Sequence, residues 1–437
     1  MIKPTATTPH LIGFWTCVAL VVGNSIGSGI FLLPASLAEF GLNSMIAWGF
    51  TAAGAITLAI VFSHLSRAFP RAGGPYAYTE EAFGPFVAFI VAWGYWVSIW
   101  VGNAAIATGT VSYLTPLFPK LMSTPGASVG LTVGILWLLT LVNCRGIKAS
   151  GRVQNVTTVM KLMPLLAIAG FALFYVRADD FARNAAIPLS VSGVTAAATL
   201  TLWALLGLES ATIPADKVQD PSRTIPRATL FGTVATALIC IIACGAVLVL
   251  LPTDQLKASS APFADVARLF WGDRSAQLLA AFAAISGFGC LNGWILLQGE
   301  LPSAMARNGV FPAIFARLSA RNTPDFAMIF GSCLVSALIL MNSQKSMVDI
   351  FTFMVLLSTT ACLVMYVLCA LALLRLQWTG KLPNTGSGSR AIGVIAVLAA
   401  LYSLWAIVGA GLDAVRWGFV LLLAGAPVFL IMRRVNR

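Results

Sequence analysis

Charge is what this chain lacks. Only 10% of its 437 residues are Asp, Glu, Lys or Arg, against about a quarter in an ordinary globular domain. Hydrophobic residues fill 59% of the chain, the mean hydropathy is +0.89, and no water-compatible surface can be assembled from what remains. The same figures exclude intrinsic disorder, a coiled coil and collagen. Two histidines, His10 and His64, are too few for a His-based metal site. The eight cysteines (17, 144, 240, 244, 290, 333, 362 and 369) fall mostly within apolar runs and show no ligand spacing, so neither a disulfide scaffold nor a thiolate cluster is expected. Cys240 and Cys244 share one helical face and read as small apolar residues. A net charge of +12 would point to nucleic acid in a soluble protein; here the placement of the charges matters more than their sum. No secretory signal is expected either, because the first apolar run continues past cleavage length.

What is abundant is hydrocarbon in long runs. Apolar segments fall at 11–38, 44–66, 85–113, 128–143, 153–176 and 191–214, then at 228–251, 275–298, 326–342, 347–374, 391–411 and 415–432. Each is near the roughly 20 residues that cross a bilayer as a helix, and none alternates with the period of two that a barrel requires. The chain therefore reads as an all-α membrane protein of about twelve transmembrane helices. With the N-terminus inside, the inner segments hold 18 Lys and Arg, from Lys3 to Arg433, Arg434 and Arg437, and the outer loops hold 8. Lys161 lies within the fifth span. Both termini are thus expected in the cytoplasm.

An internal repeat organises the spans. Gly27, Pro34 and Ala35 in the first span recur as Gly207, Pro214 and Ala215 in the sixth, at a constant offset of 180 residues. Five spans separate the copies, and an odd number reverses the direction of crossing. Segments 11–176 and 191–374 are therefore expected to be inverted repeats, a construction common in secondary transporters, with 391–432 as two appended helices.

Few residues here are able to carry chemistry. Gly23-Asn24-Ser25-Ile26-Gly27-Ser28-Gly29 places three glycines in mid-span, each weakening a helix by about 1 kcal/mol. A break at this depth frees backbone groups that must face protein or a ligand cavity, and the N-terminus of the second half-helix suits a carboxylate. The competing reading is a small-residue packing face. Glu209 lies deep in the sixth apolar run, where a carboxylate is costly and marks a functional site by default. It either carries a proton, opposes a cationic substrate, or serves as a structural hydrogen-bond partner. Lys161 is about 12 Å along the fifth helix, and either snorkels back to the interface or is a buried amine that releases a proton or replaces a bound cation. Trp93, Trp96 and Trp100 share a face of the third span with Tyr95 and Asn103 nearby, and Trp294 is the lone tryptophan of the eighth; packing is the plain reading of such stripes. No nucleophile triad, metal motif or phosphate loop is present, so the chain reads as a carrier and not an enzyme.

The glycine-rich break from Gly23 to Phe31, Gly73-Gly74-Pro75-Tyr76, and Pro302-Ser-Ala-Met-Ala-Arg307-Asn-Gly-Val-Phe311-Pro312 resemble the amino acid–polyamine–organocation superfamily over nearly the whole chain. Trp96, Trp100, Gly102 and Asn103, Trp203 with Gly207-Leu208-Glu209-Ser210, and Gly293-Trp294 are most similar to its basic amino acid/polyamine antiporters. The resemblance implies a five-plus-five inverted repeat with discontinuous helices one and six, working by alternating access without sodium. It implies that Asn24, Ile26, Ser28 and Gly29 hold the substrate carboxylate region. Asn103 and carbonyls near Trp203 and Leu206 would hold the polar end of the substrate, and Trp203, Trp294 and Ser358 would contact its side chain, with cation–π attraction at the rings. Tyr76, Tyr95, Lys161, Glu209 and Tyr366 would serve gating and proton coupling. Lys161 departs from the antiporter pattern, because proton-coupled and light-chain-type carriers of the superfamily are the ones with a lysine there.

The leading expectation is a multi-pass transporter of the bacterial inner membrane that exchanges cationic amino acids and their decarboxylated amines. A proton-coupled carrier of neutral amino acids is the alternative, and a channel or membrane sensor a distant third. The expected partners are the substrate, the lipid bilayer and a second copy of the chain in a homodimer, with no nucleic acid, no metal and no cofactor.

Overall fold

The computed structural model describes residues 13–435 apart from 28, 72, 125, 146, 178–186, 214, 216–217, 322 and 383–386, and side chains are likewise left aside at 147–156, 158–159, 172–173, 387–388, 433 and 435. Every described element is helical. Among the described residues nine helices are long and apolar enough to cross a membrane, and shorter apolar helices at 160–171, 191–203 and 325–341 complete a series that matches the twelve apolar segments in order. His10 and Ser28 lie outside the described residues.

The first span is Phe14–Ser25 followed by Gly29–Leu37, and the second is Asn43–Ala68. A short helix, Pro75–Phe83, leads into the third span, Pro85–Ser112; the fourth and fifth are Ala127–Cys144 and Ile147–Tyr175. The sixth is Val191–Trp203 and the seventh Pro221–Leu250. A connecting helix, Pro262–Trp271, precedes the eighth, Asp273–Arg307. Asp325–Met341, Met347–Trp378, Ser387–Gly409 and the stretch from Leu412 to Met432 are the ninth to twelfth. Local chemistry sets several boundaries. Proline occupies the first helical position at Pro75, Pro85, Pro221 and Pro262, where its missing N–H costs nothing. The Ser190 and Ser346 hydroxyls accept from the Gly193 and Asp349 N–H groups and cap spans six and ten. Sequence periodicity carried the sixth span to 214, whereas the helix stops at Trp203 because the backbone turns away there.

Burial separates the centre of the bundle from its margin. In spans three and ten 72% of the apolar window is buried within the protein, against 28% and 22% in spans eleven and twelve. Span three packs on spans eight and ten, span seven on spans one and two, and span eight also on span five. Spans three, four, eight and nine are joined by buried polar stitches. Asn143 Nδ2 donates to Asn292 Oδ1 at 3.0 Å, the Thr140 and Ser332 hydroxyls meet at 2.8 Å, and Trp96 Nε1 donates to the Gln298 carbonyl at 3.0 Å. Where no water competes, each such bond contributes on the order of 0.6 kcal/mol and fixes which helix faces which.

Candidate functional site

Two spans lose their helical hydrogen bonds at the same depth. In the first span the Ile26 N–H closes the last turn on Val22 O at 2.8 Å, and helix resumes at Gly29. In the sixth, residues after Trp203 continue only as tight turns, with Leu205 N–H to Leu202 O at 2.8 Å and Leu206 N–H to Trp203 O at 3.2 Å, before the short helix Ser210–Thr212. The breaks touch. Gly207 has φ of 104°, and a Cβ there would stand 3.1 Å from the Asn24 carbonyl carbon and 3.2 Å from Ser25 N. A glycine is required at that position for its backbone angle and for this close approach.

A small cavity of about 30 Å³ lies at this junction, room for a water or two in this structure. Asn24, Ser25 and Gly27 line it from the first break, and Trp203, Leu206 and Glu209 from the sixth. Tyr95, Ser98, Ile99, Gly102 and Ile106 form the face given by span three. Cys290 and Trp294 come from span eight, and Ser358 and Cys362 from span ten.

Of the residues singled out in the sequence, the cavity thus brings together Asn24, Tyr95, Trp203, Leu206, Glu209, Trp294 and Ser358. Ile26 is fully buried beside the break and is not among the lining residues. Gly29 opens the second half-helix. Trp294 Nε1 donates to Asn24 O at 3.4 Å, so the ring is tethered to the broken backbone. Trp93 and Trp96 are packing residues. Their indole N–H groups go to Leu421 O and Gln298 O, and both rings join an aromatic cluster with Phe311. Asn103 is also off the lining; its Nδ2 donates to Gln298 Oε1 at 2.8 Å.

Lys161 and Glu209, the buried charged residues singled out in the sequence, have defined partners. Lys161 is fully buried, and its Nζ donates to the Gly23 carbonyl at 2.6 Å, so the amine caps the end of the first half-helix and does not snorkel. Glu209 Oε2 accepts from the Tyr366 hydroxyl at 2.7 Å, and that ring is held edge-on against Phe62 at 5.8 Å. Glu209 Oε1 and the Tyr95 hydroxyl are buried without a hydrogen-bond partner among the described residues.

Tyr76 stands apart from the cavity, on the Pro75–Phe83 helix, where its hydroxyl donates to Glu80 Oε1 at 3.0 Å. Burial and the neighbouring Glu80 carboxylate push its phenol well above the ordinary range. The same helix is tied to the end of span ten by Glu81 and Lys381, 2.5 Å apart, and the Lys381 ammonium holds the Glu81 carboxyl below the usual carboxylate range. Sequence reasoning missed Cys290, Cys362 and Ser98 as lining residues. Each is small or uncharged within an apolar run, and only their shared location distinguishes them.

Comparison with known proteins follows the same lines. The pattern of the family described as amino acid permease matches residues 12–430. A Bacillus subtilis (strain 168) protein assigned as an arginine/ornithine antiporter is 33% identical over 431 residues, covering 91% of each chain. The putrescine transporter PotE of Escherichia coli (strain K12) is 31% identical over 415 residues, covering 94% of this chain and 93% of its own. The cadaverine/lysine antiporter of the same strain is 32% identical over 332 residues, covering 76% and 74%.

Proposed function

The chain belongs to the amino acid permease family of the amino acid–polyamine–organocation superfamily, and from that premise we propose that it exchanges cationic amino acids and their decarboxylated amines across the membrane by alternating access, without sodium. The observation that carries this reading is the composition of the cavity lining, to which the Trp203 and Trp294 rings, the Glu209 carboxyl and the broken backbone at Asn24 to Gly27 all contribute. Aromatic faces and a carboxylate attract an ammonium or guanidinium. Free backbone N–H groups at the start of a half-helix attract the α-carboxylate of an amino acid, and putrescine-type amines, which lack that carboxylate, rest on the aromatic wall alone. Relatives named for arginine/ornithine, putrescine and cadaverine/lysine support the substrate class.

The rest of the assignment follows the same proposal. Segments 11–176 and 191–374 form inverted repeats, supported by breaks in the first span of each, with 391–432 appended. The basic residues of the loops favour cytoplasmic termini in a bacterial inner membrane. The exposed apolar faces of spans eleven and twelve meet lipid and a second copy in a homodimer. A second reading, proton-coupled transport of neutral amino acids, is favoured by one observation, the buried Lys161 amine on Gly23 O.

Reconstituted vesicles separate the two. Uptake of labelled ornithine or putrescine that requires the same class of substrate inside is the expected result. Uptake into empty vesicles that follows a pH gradient, with preference for neutral amino acids, overturns exchange in favour of the second reading.

A further inference from the structure

Gln298 is fully buried in span eight, one turn beyond Trp294, and no rule of composition singles it out. Its amide has no freedom of orientation. Gln298 Nε2 donates to Met328 O at 3.1 Å and to Ser332 Oγ at 3.2 Å. A backbone carbonyl only accepts, so the NH2 group must face span nine and Oε1 must face span three. There it receives Asn103 Nδ2 at 2.8 Å. That bond fixes the second amide in turn, leaving Asn103 Oδ1 as a pure acceptor, buried and without a hydrogen-bond partner among the described residues. Gly331 leaves the space in which the Gln298 amide sits. Asn103 itself stands on its helix between Ile99 and Ile106, one turn from each, and both of those line the cavity.

A buried, unpaired acceptor is costly and calls for a donor. We propose that Gln298 is a specificity-determining positioning residue, which locks Asn103 so that its Oδ1, set behind the Ile99 and Ile106 lining here, is the atom offered to the nitrogen donors at the side-chain end of a cationic substrate when the cavity widens to admit it. This rests on the exchange function proposed above and adds to it the residue that sets the polarity of the Asn103 amide. Without Gln298, Asn103 turns either its oxygen or its NH2 toward the substrate, and the advantage of a donor-bearing side chain over an apolar one of equal length is lost.

The test compares ornithine with its neutral isostere norleucine in reconstituted vesicles, using half-saturating concentrations and maximal exchange rates. Gln298→Met fills the same volume without hydrogen-bonding capacity. It is expected to raise the half-saturating concentration of ornithine roughly tenfold, to leave that of norleucine within about twofold, and to change the maximal rate far less. Asn103→Ala is expected to give the same loss, and the double variant no more than either single one. Equal losses for both ligands show that Gln298 only packs, and an unchanged preference shows that Asn103 needs no positioning; either overturns the proposal. Ser332→Ala, which removes one of the two acceptors orienting Gln298, provides a milder variant should Gln298→Met fail to fold. It is expected to give about a threefold loss of preference, and no loss there also overturns the assignment. Wild-type vesicles that exchange neither ornithine nor putrescine sink the transport reading itself, a result distinct from all of these.

Discussion

Lys161 Nζ ends 2.6 Å from the carbonyl oxygen of Gly23, so the fifth span grips the first at the last turn before its break. The carbonyls at the end of a helix have no partner of their own, and in hydrocarbon the cost of leaving one bare is severe. A side chain from another span satisfies this one, which links the position of the fifth helix to the integrity of the first.

Lys161→Ala is therefore expected to slow exchange by more than about tenfold, because the Gly23 carbonyl is left unpaired at a cost of about 1–3 kcal/mol. Equilibrium affinity should change much less, since Lys161 does not line the cavity. Exchange rate and Kd measured side by side decide it. An unchanged rate shows that the contact is a spectator.

Gly207→Ala places a methyl group against the Asn24–Ser25 backbone in a conformation that L-residues rarely adopt. A loss of about 1–3 kcal/mol is expected, visible as a lower melting temperature in detergent, together with loss of transport. Gly126→Ala is the control. That glycine also has positive φ, at 77°, yet meets nothing within 4 Å, so it carries the backbone cost without the contact. Equal transport defects in the two variants would falsify the view that the breaks must touch.

Trp294→Leu tests the aromatic wall. A cationic substrate should lose about 0.5–2 kcal/mol of binding relative to its neutral isostere, and ornithine paired with norleucine supplies the comparison. If both weaken alike, the ring contributes shape alone.

These residues also show how far the sequence could be read. Three glycines from Gly23 to Gly29 announce a break because helix propensity is local, and Glu209 stands out because a carboxylate is rare at that depth. The depth of Lys161 was legible from its position in the run, but its partner Gly23 lies 138 residues away, and no local signal joins them. Gln298 and Asn103, 195 residues apart, are joined in the same invisible way. Trp93, Trp96 and Trp294 look alike as sequence. Only packing sends the first two into an aromatic cluster and the third to the cavity wall. The place of the break in the sixth span is hidden for a related reason: hydrophobicity continues through residues 204–213 although the helical hydrogen bonds do not.

Acid should loosen the contact between the Pro75–Phe83 helix and span ten. The Lys381 ammonium lowers the Glu81 carboxyl below its ordinary value, so the pair stabilises the fold above the unfolded-state value of about 4.3 and its contribution is lost as the pH falls through the lowered one. Lys381→Ala is expected to melt slightly below the wild type at neutral pH, with a gap that closes under strong acid. Both groups are partly exposed, so the gap is small and shrinks with added salt. A gap that persists when the carboxylate is neutral points to packing by the lysine stem instead.

The polar stitches among spans three, four, eight and nine have a mechanical consequence. Apolar helix faces slide past one another at little cost, whereas Asn143 on Asn292 and Thr140 on Ser332 resist both rotation and slip. Those four helices are expected to move as one frame, with the compliance left to the broken pair. Spin labels on the outer faces of spans four and nine are therefore expected to keep one separation while exchange proceeds, which would make them the ruler against which any displacement of spans one and six is gauged.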